Sequence, residues 1–392
     1  MDTPSKIMEF LDQCSKTIEQ KSLEDLDQMR QFKKKYLNSS QPLSQWDVPI
    51  IISRMKKNTF DLDRTHYLNY FSLGTVMEGL NMILNNVFKV NLEIENLNQE
   101  ESWHSDIYKL AVKDSNNTLL GYIYCDFYNR NDKFSNVDCH FTIQCSKLLA
   151  DKSYQIPIVV LHLNFPLPSP NRPTLLSFEM MENLFHEFGH AMHSMFAKTR
   201  YQHVSGTRCS TDFAEVPSQL MEFYCRDPRV LKQIAKHYIT QEPLDDKTIH
   251  KLCKSKKMFA SSELQNQILN SVLDQVFHLN ELENSKTIDL IEKYTNKYHC
   301  LGYVKNTNWH LRYTHLVGYG AKYYSYLVSK ALATKIWAEC FEKDPLNSNA
   351  GEMYRQKLLQ FGGEKRPEEL INSLIGLDIH SSSLVDSLTN NI

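Results

Sequence analysis

Two histidines four residues apart, with a glutamate directly after the first, stand in the run LFHEFGHAM between positions 184 and 192. A helix turns about 100° per residue, so His186 and His190 differ by only about 40° in azimuth and lie one turn apart. Two imidazoles so placed can converge on one ion. Glu187 points off that line yet stays within reach of a water on the ion. Zinc becomes catalytic when its protein ligands leave one position open. A water there falls from a pKa of about 15.7 toward roughly 7, and a neighbouring carboxylate can take its proton. Buried histidines can instead be merely hydrogen-bonded. Here Met181, Leu184, Phe185, Phe188, Met192 and Met195 already form a packing face at helical spacing, so the histidines are not needed to complete one. Gly189 costs a helix about 1 kcal/mol relative to alanine, which points to close packing on its side.

A third ligand has to come from elsewhere. Glu215 follows His190 by 25 residues, room for the chain to leave one helix and return antiparallel in another. Pro217 fits best in a first helical turn, which places Glu215 at or just before the start of that helix. Thr211 and Asp212 are candidate caps there. Asp212 and Glu222 are the candidates for orienting an imidazole, and for Glu222 an ordinary solvated or salt-bridged glutamate is the alternative. Further on, THLVGYGAKYYSYL (314–327) carries Gly318 and Gly320 in a flexible turn, followed by Tyr323, Tyr324 and Tyr326. Tyrosine hydroxyls and a histidine suit an oxyanion; a tyrosine-rich packing helix is the alternative.

The elements that must position these groups follow from hydrophobic periodicity. Residues 1 to about 37 and 61–90 have helical spacing, and Thr75 to Glu78 form a capping box for the second stretch. Runs at 106–112, 118–128, 138–145 and 155–165 are rich in β-branched and aromatic residues. With breaks at Asn116-Asn117 and 129–136, they predict a small, mostly antiparallel sheet that ends at the proline-rich 166–173. Beyond 175 only helices are expected, with a frayed tail after Ile379. The expected class is mainly α, with the sheet just ahead of the HEFGH helix. The expected division is a helical lead-in (1–100), the sheet (101–170) and a helical zinc- and substrate-binding part (171–392).

With 392 residues, a formal charge of −2 and a pI near 6.7, the chain gives no case for a nucleic-acid partner. Its short lysine runs are solvated helix faces. No stretch approaches the roughly 18 apolar residues of a membrane span. Nine cysteines without a CxxC pair argue for free thiols in a reducing compartment and against cysteine as a zinc ligand. The first residues contain acids and lack both arginine and an apolar core, so they resemble neither a transit peptide nor a secretory signal.

The stretch FHEFGHAMHSMFAKTRYQHVSGTRCSTDFAEVPSQLMEF resembles the signature of the thimet oligopeptidase family of zinc metallopeptidases. The likeness runs through most of the chain from about residue 45. GYIYCDFY, DCHFTIQC, 175–240 and HLVGYGAKYYSYL are most similar to the family branch that processes imported mitochondrial precursors. The resemblance implies a zincin-like catalytic region holding one Zn2+ through His186, His190 and Glu215, with Glu187 activating water. It also implies that His315, Tyr319, Tyr323 and Tyr326 bind the peptide carbonyl and the developing oxyanion, leaving Tyr324 to packing. The implied reaction removes N-terminal octapeptides from precursor proteins in the mitochondrial matrix. A cytoplasmic location, a general cytosolic or organellar oligopeptidase, and a truncated peptide-binding form without catalysis are the alternatives. An extended peptide is the expected partner, with the strand at 155–165 pairing to it. The chain would then be the C-terminal catalytic part of a longer, monomeric peptidase, with an apolar surface facing the missing part.

Overall fold

Helix Pro4–Tyr36 starts where the Thr3 side chain accepts from the Lys6 amide at 3.4 Å, and Pro4 suits a first turn that needs no amide donor. The computed structural model describes residues 1, 3–38, 40–134, 138–279, 286–377 and 380–390. They form two compact units, one gathering Met1–Asp63, Lys251–Leu332 and His380–Ile392, the other Arg64–His250 and Ala333–Ile379. In the first, Pro4–Tyr36 buries Phe10, Leu11, Cys14, Ile18, Leu26 and Met29 along one stripe, packed on helices Ala260–His278 and Ser381–Thr389. The tail is therefore not frayed. Leu384, Val385 and Leu388 fall on one helical face, and that face is buried.

The second unit holds a five-stranded sheet made of β1 (Val90–Glu95), β2 (Tyr108–Asp114), β3 (Leu119–Tyr128), β4 (Cys139–Gln144) and β7 (Ile158–Phe165). Two short strands, β5 (Lys147–Leu148) and β6 (Tyr154–Gln155), pair separately. The spatial order is β1-β2-β3-β7-β4, antiparallel throughout except for the parallel pair β3–β7. The four expected runs are thus strands, and the sheet is small and mostly antiparallel. The break expected at 129–136 is described only as far as Phe134.

Three details differ from expectation. β1 lies where a helix was expected to end, because helix Leu73–Phe88 closes on Lys89 in the left-handed region (φ 57°) without the glycine that usually marks such a stop. That helix is capped by Ser72, whose hydroxyl accepts from the Thr75 amide at 3.2 Å, so it begins before the Thr75 box. Finally, β7 is flanked by β3 and β4 and has no free edge, so it cannot pair with a peptide; among the described strands β4 is an outer one.

β3, β4 and β7 pack against helix Phe178–Phe196, which in turn packs on Val216–Arg226. Met181, Leu184, Phe185, Phe188, Met192 and Met195 are all buried. Among the described residues no helix is long and apolar enough to cross a membrane. All nine cysteines are free thiols.

Candidate metal centre

The Ser177 hydroxyl accepts from the Met180 amide at 3.2 Å and opens the helix that carries HEFGH, with Glu179 favourably placed in the first turn. His186 and His190 share a face, their ring centroids 5.0 Å apart. What brings Glu215 to them is Gly189. A Cβ at that position would lie 2.5 Å from both Pro217 O and Ser218 Cα, so only glycine lets the second helix approach this closely. Glu215 is the residue before Val216–Arg226, with Pro217 in the first turn, as the proline predicted. The Ser218 hydroxyl donates to the Glu215 carbonyl at 2.9 Å and to its Oε2 at 3.0 Å, fixing the carboxylate.

Glu215 Oε2 stands 3.1 Å from His186 Nε2 and 3.1 Å from His190 Nε2. Ligands at zinc bond lengths of about 2.0–2.2 Å in a tetrahedron lie roughly 3.4 Å from each other. The two nitrogen–oxygen separations need widen by only a few tenths of an ångström, and the two-nitrogen, one-oxygen set leaves a fourth position open. The residues fit zinc.

The charges agree with a site that exchanges a proton for a cation. Burial works against a charged His186, but hydrogen bonds to Glu215 and Glu222 outweigh it and raise its pKa to about 10. Burial also opposes the Glu215 charge, yet His190 and the bonds from both histidines hold that carboxyl well below its usual range. Glu187 is buried at 5 % exposure, and its Oε2 has no hydrogen-bond partner among the described residues. Burial pushes its pKa up, against the pull of His190 and His186. A buried carboxyl with an uncommitted oxygen beside a metal-ligand set is placed to accept a proton.

Of the two carboxylates considered for orienting an imidazole, Glu222 is the partner of His186, Oε1 to Nδ1 at 2.9 Å. Asp212 sits in the short helix Thr211–Ala214 and accepts from the Ser210 hydroxyl at 2.6 Å. Sequence reasoning missed His140 and His193. The His140 ring, on β4, lies 5.8 Å from that of His190, and its Nε2 is 3.3 Å from the Ser194 hydroxyl. His193 is wholly buried without a partner for either nitrogen among the described residues. Burial presses both pKa values down to about 3. His140, near the start of an otherwise β-patterned run, gave no signal of its own.

The tyrosine segment belongs to the first unit. Around the His315 ring stand Tyr313, Tyr319, Tyr323 and Tyr326, with centroids 5.4, 5.2, 5.3 and 6.3 Å away. The hydroxyls of Tyr319 and Tyr326 share a short hydrogen bond, and that of Tyr323 donates to Gln267 Oε1 at 2.9 Å. Asp274, fully buried, accepts from the amides of Ala321 (3.2 Å) and Tyr323 (2.8 Å) and anchors the turn. Tyr324 is buried, its hydroxyl 3.5 Å from the Met1 carbonyl.

The model of peptidase family M3 matches residues 1–389. This chain belongs to peptidase family M3. Among curated M3 relatives, the mitochondrial intermediate peptidase of Homo sapiens is 44 % identical over 98 % of this chain and 54 % of its own length. The protein of the same name from Mus musculus is 45 % identical over 100 % of this chain and 55 % of its own, and the one from Arabidopsis thaliana 35 % over 99 % and 55 %. The chain therefore spans about half the length of the curated relatives it matches. Among solved structures, PZ peptidase A superposes with a TM-score of 0.52 at 14 % identity, covering 100 % of this chain and 58 % of that one. Trypanosoma cruzi metallocarboxypeptidase 1 gives 0.51 at 12 % identity, covering 97 % and 68 %. These likenesses show the fold, the mainly helical, zincin-like arrangement expected for M3.

Proposed function

We propose that this chain carries the catalytic zinc site of a metallopeptidase that hydrolyses peptide bonds in mitochondrial precursor proteins, removing N-terminal octapeptides. The observation that carries the reading is the convergence of His186 Nε2, His190 Nε2 and Glu215 Oε2, all within 4.8 Å of one another, beside the uncommitted Glu187 oxygen. The mitochondrial location and the precursor substrate rest on the relatives named mitochondrial intermediate peptidase.

His186, His190 and Glu215 would hold the ion. Zinc, when bound, supplies Lewis acidity that brings the pKa of a water at its open position toward neutrality. Glu187 takes the proton of the attacking water on Oε2 and delivers it to the departing amine nitrogen as the peptide C–N bond breaks. The roles of His315, Tyr319, Tyr323 and Tyr326 in binding the carbonyl and its oxyanion rest on the motif and on the clustering of their rings. An extended peptide would add to the outer edge of β4, where Phe141 and Ile143 are exposed on one face.

The test uses a precursor-derived peptide and mass spectrometry of the products. Wild type loaded with zinc should cut eight residues from its N-terminus. Glu187→Gln should keep zinc and the fold yet lose at least about 10²-fold in rate, because an amide cannot accept the proton. Cleavage at the wild-type rate by Glu187→Gln would overturn the general-base role, and cuts scattered along unrelated peptides would overturn the octapeptide assignment.

A further inference from the structure

The polar contacts at the candidate metal centre continue past the groups that could touch an ion. Glu182 and His186 stand one turn apart on helix Phe178–Phe196, and Glu222 and Arg226 stand one turn apart on helix Val216–Arg226. His186 Nδ1 meets Glu222 Oε1 at 2.9 Å. Arg226 Nη2 donates to the other oxygen, Glu222 Oε2, at 2.8 Å, while its Nε donates to Glu182 Oε1 at 2.8 Å. The two helices are bracketed together by these four side chains. Glu182 is 9 % exposed, so the far end of the bracket is an interior anchor and not a surface pair.

The chemistry of an imidazole makes this arrangement matter. A carboxylate accepting at Nδ1 fixes the proton on that nitrogen and leaves the Nε2 lone pair for a metal. One hydrogen bond to one carboxylate oxygen fixes the ring only if the carboxylate itself cannot turn. Glu222 is kept from turning by the guanidinium, whose planar fork reaches carboxylates on both helices at once, which a lysine ammonium cannot do in the same geometry.

We propose that Arg226 is a positioning residue for the metal: anchored on Glu182, it holds Glu222 so that Glu222 fixes the ring plane and tautomer of His186. This rests on His186, His190 and Glu215 being the zinc ligands. Without Arg226, Glu182 and Glu222 face each other as like charges across the helix pair, and Glu222 swings away from His186.

The sign of the effect separates positioning from simple electrostatics. Removing a positive charge near a dication should tighten zinc binding if charge alone matters. Loss of positioning should weaken it, by about 10–100-fold for a contact of this kind. The experiment measures zinc affinity of the full chain by chelator competition, in wild type, Arg226→Gln, Arg226→Lys, Glu222→Ala and the Glu222→Ala/Arg226→Gln pair. Arg226→Gln should bind zinc about 10–100-fold more weakly, with Arg226→Lys recovering only part of the loss. In the Glu222→Ala background the Arg226→Gln change should matter by less than about twofold, since its route of action is already gone. Unchanged or tighter binding by Arg226→Gln overturns the proposal, as does an equal loss in both backgrounds. A wild-type chain that binds no zinc fails the metal reading itself and takes the proposal with it. If circular dichroism shows Arg226→Gln unfolded, Glu182→Gln, which frees only the far anchor, should show a smaller loss of the same sign, and no loss there overturns the proposal.

Discussion

Replacing Gly189 by alanine would set one methyl group against the backbone of the neighbouring helix. The new Cβ would start 2.5 Å from Pro217 O and Ser218 Cα, and ordinary contact begins at 3.4 Å, so the helix must retreat by about 0.9 Å. Backbone atoms cannot rotate aside as a side-chain tip would. Two stability effects then oppose each other. Overpacking costs about 1–3 kcal/mol, while alanine gains about 1 kcal/mol over glycine in a helix interior, leaving a net loss of roughly 0–2 kcal/mol. Metal geometry has no such compensation. Glu215 lies two residues before Pro217 and moves with it, whereas zinc tolerates deviations of only about 0.2 Å in its bond distances. Zinc affinity is therefore the quantity that should change, falling at least about tenfold while the metal-free protein melts almost as before. Chelator competition and thermal unfolding of the metal-free chain measure the two. A folded Gly189→Ala protein with wild-type zinc affinity would refute the argument that this glycine sets the approach of Glu215.

Other expectations follow from the same geometry. His186 in the metal-free chain has its pKa raised from 6.5 to about 10, so it stabilises the fold fully below pH 6.5 and the contribution is lost as pH rises from there through about 10; urea unfolding at a series of pH values checks this, and a flat profile over that window contradicts it. Zinc must displace that proton, so binding near neutral pH should release it, which calorimetry in buffers of different ionisation enthalpy will detect. Tyr323→Phe removes the hydroxyl bonded to Gln267; kcat/KM should drop about 10²–10³-fold if that group serves the oxyanion, and an unchanged value returns it to packing. Asp274→Asn leaves one oxygen to serve two amides, so hydrogen exchange at Ala321 and Tyr323 should quicken, at about 1–3 kcal/mol of stability.

The site was more legible in the sequence than the arrangement around it. His186, His190 and Glu187 announce themselves by helical spacing, and Pro217 placed Glu215 at a helix start because a proline tolerates few other positions. Strand runs could be read from their side chains, but their order could not. Nothing in IVVLHLNF says that β7 lies inside the sheet while CHFTIQ lies at its edge, since lateral order is decided by long-range pairing. β1 was hidden because Lys89, not a glycine, ends the helix before it. Glu222 and Arg226 look like an ordinary pair at four-residue spacing on a helix surface. Only the packing enabled by Gly189 turns them inward against His186 and Glu182.

The division of the chain into interleaved units has a consequence for biosynthesis. Helix Pro4–Tyr36 leaves the ribosome well before its partners, Ala260–His278 and Ser381–Thr389, which follow hundreds of residues later. Until they arrive, the stripe from Phe10 to Met29 lacks these two helices. The metal-bearing unit is likewise unfinished until residues 333–379 return to it. Closing such long loops adds little to the equilibrium cost, because that cost grows only with the logarithm of loop length. It slows the search instead. Folding should therefore run to completion late and nearly all at once, and the stripe from Phe10 to Met29 is a surface a chaperone would hold in the interval.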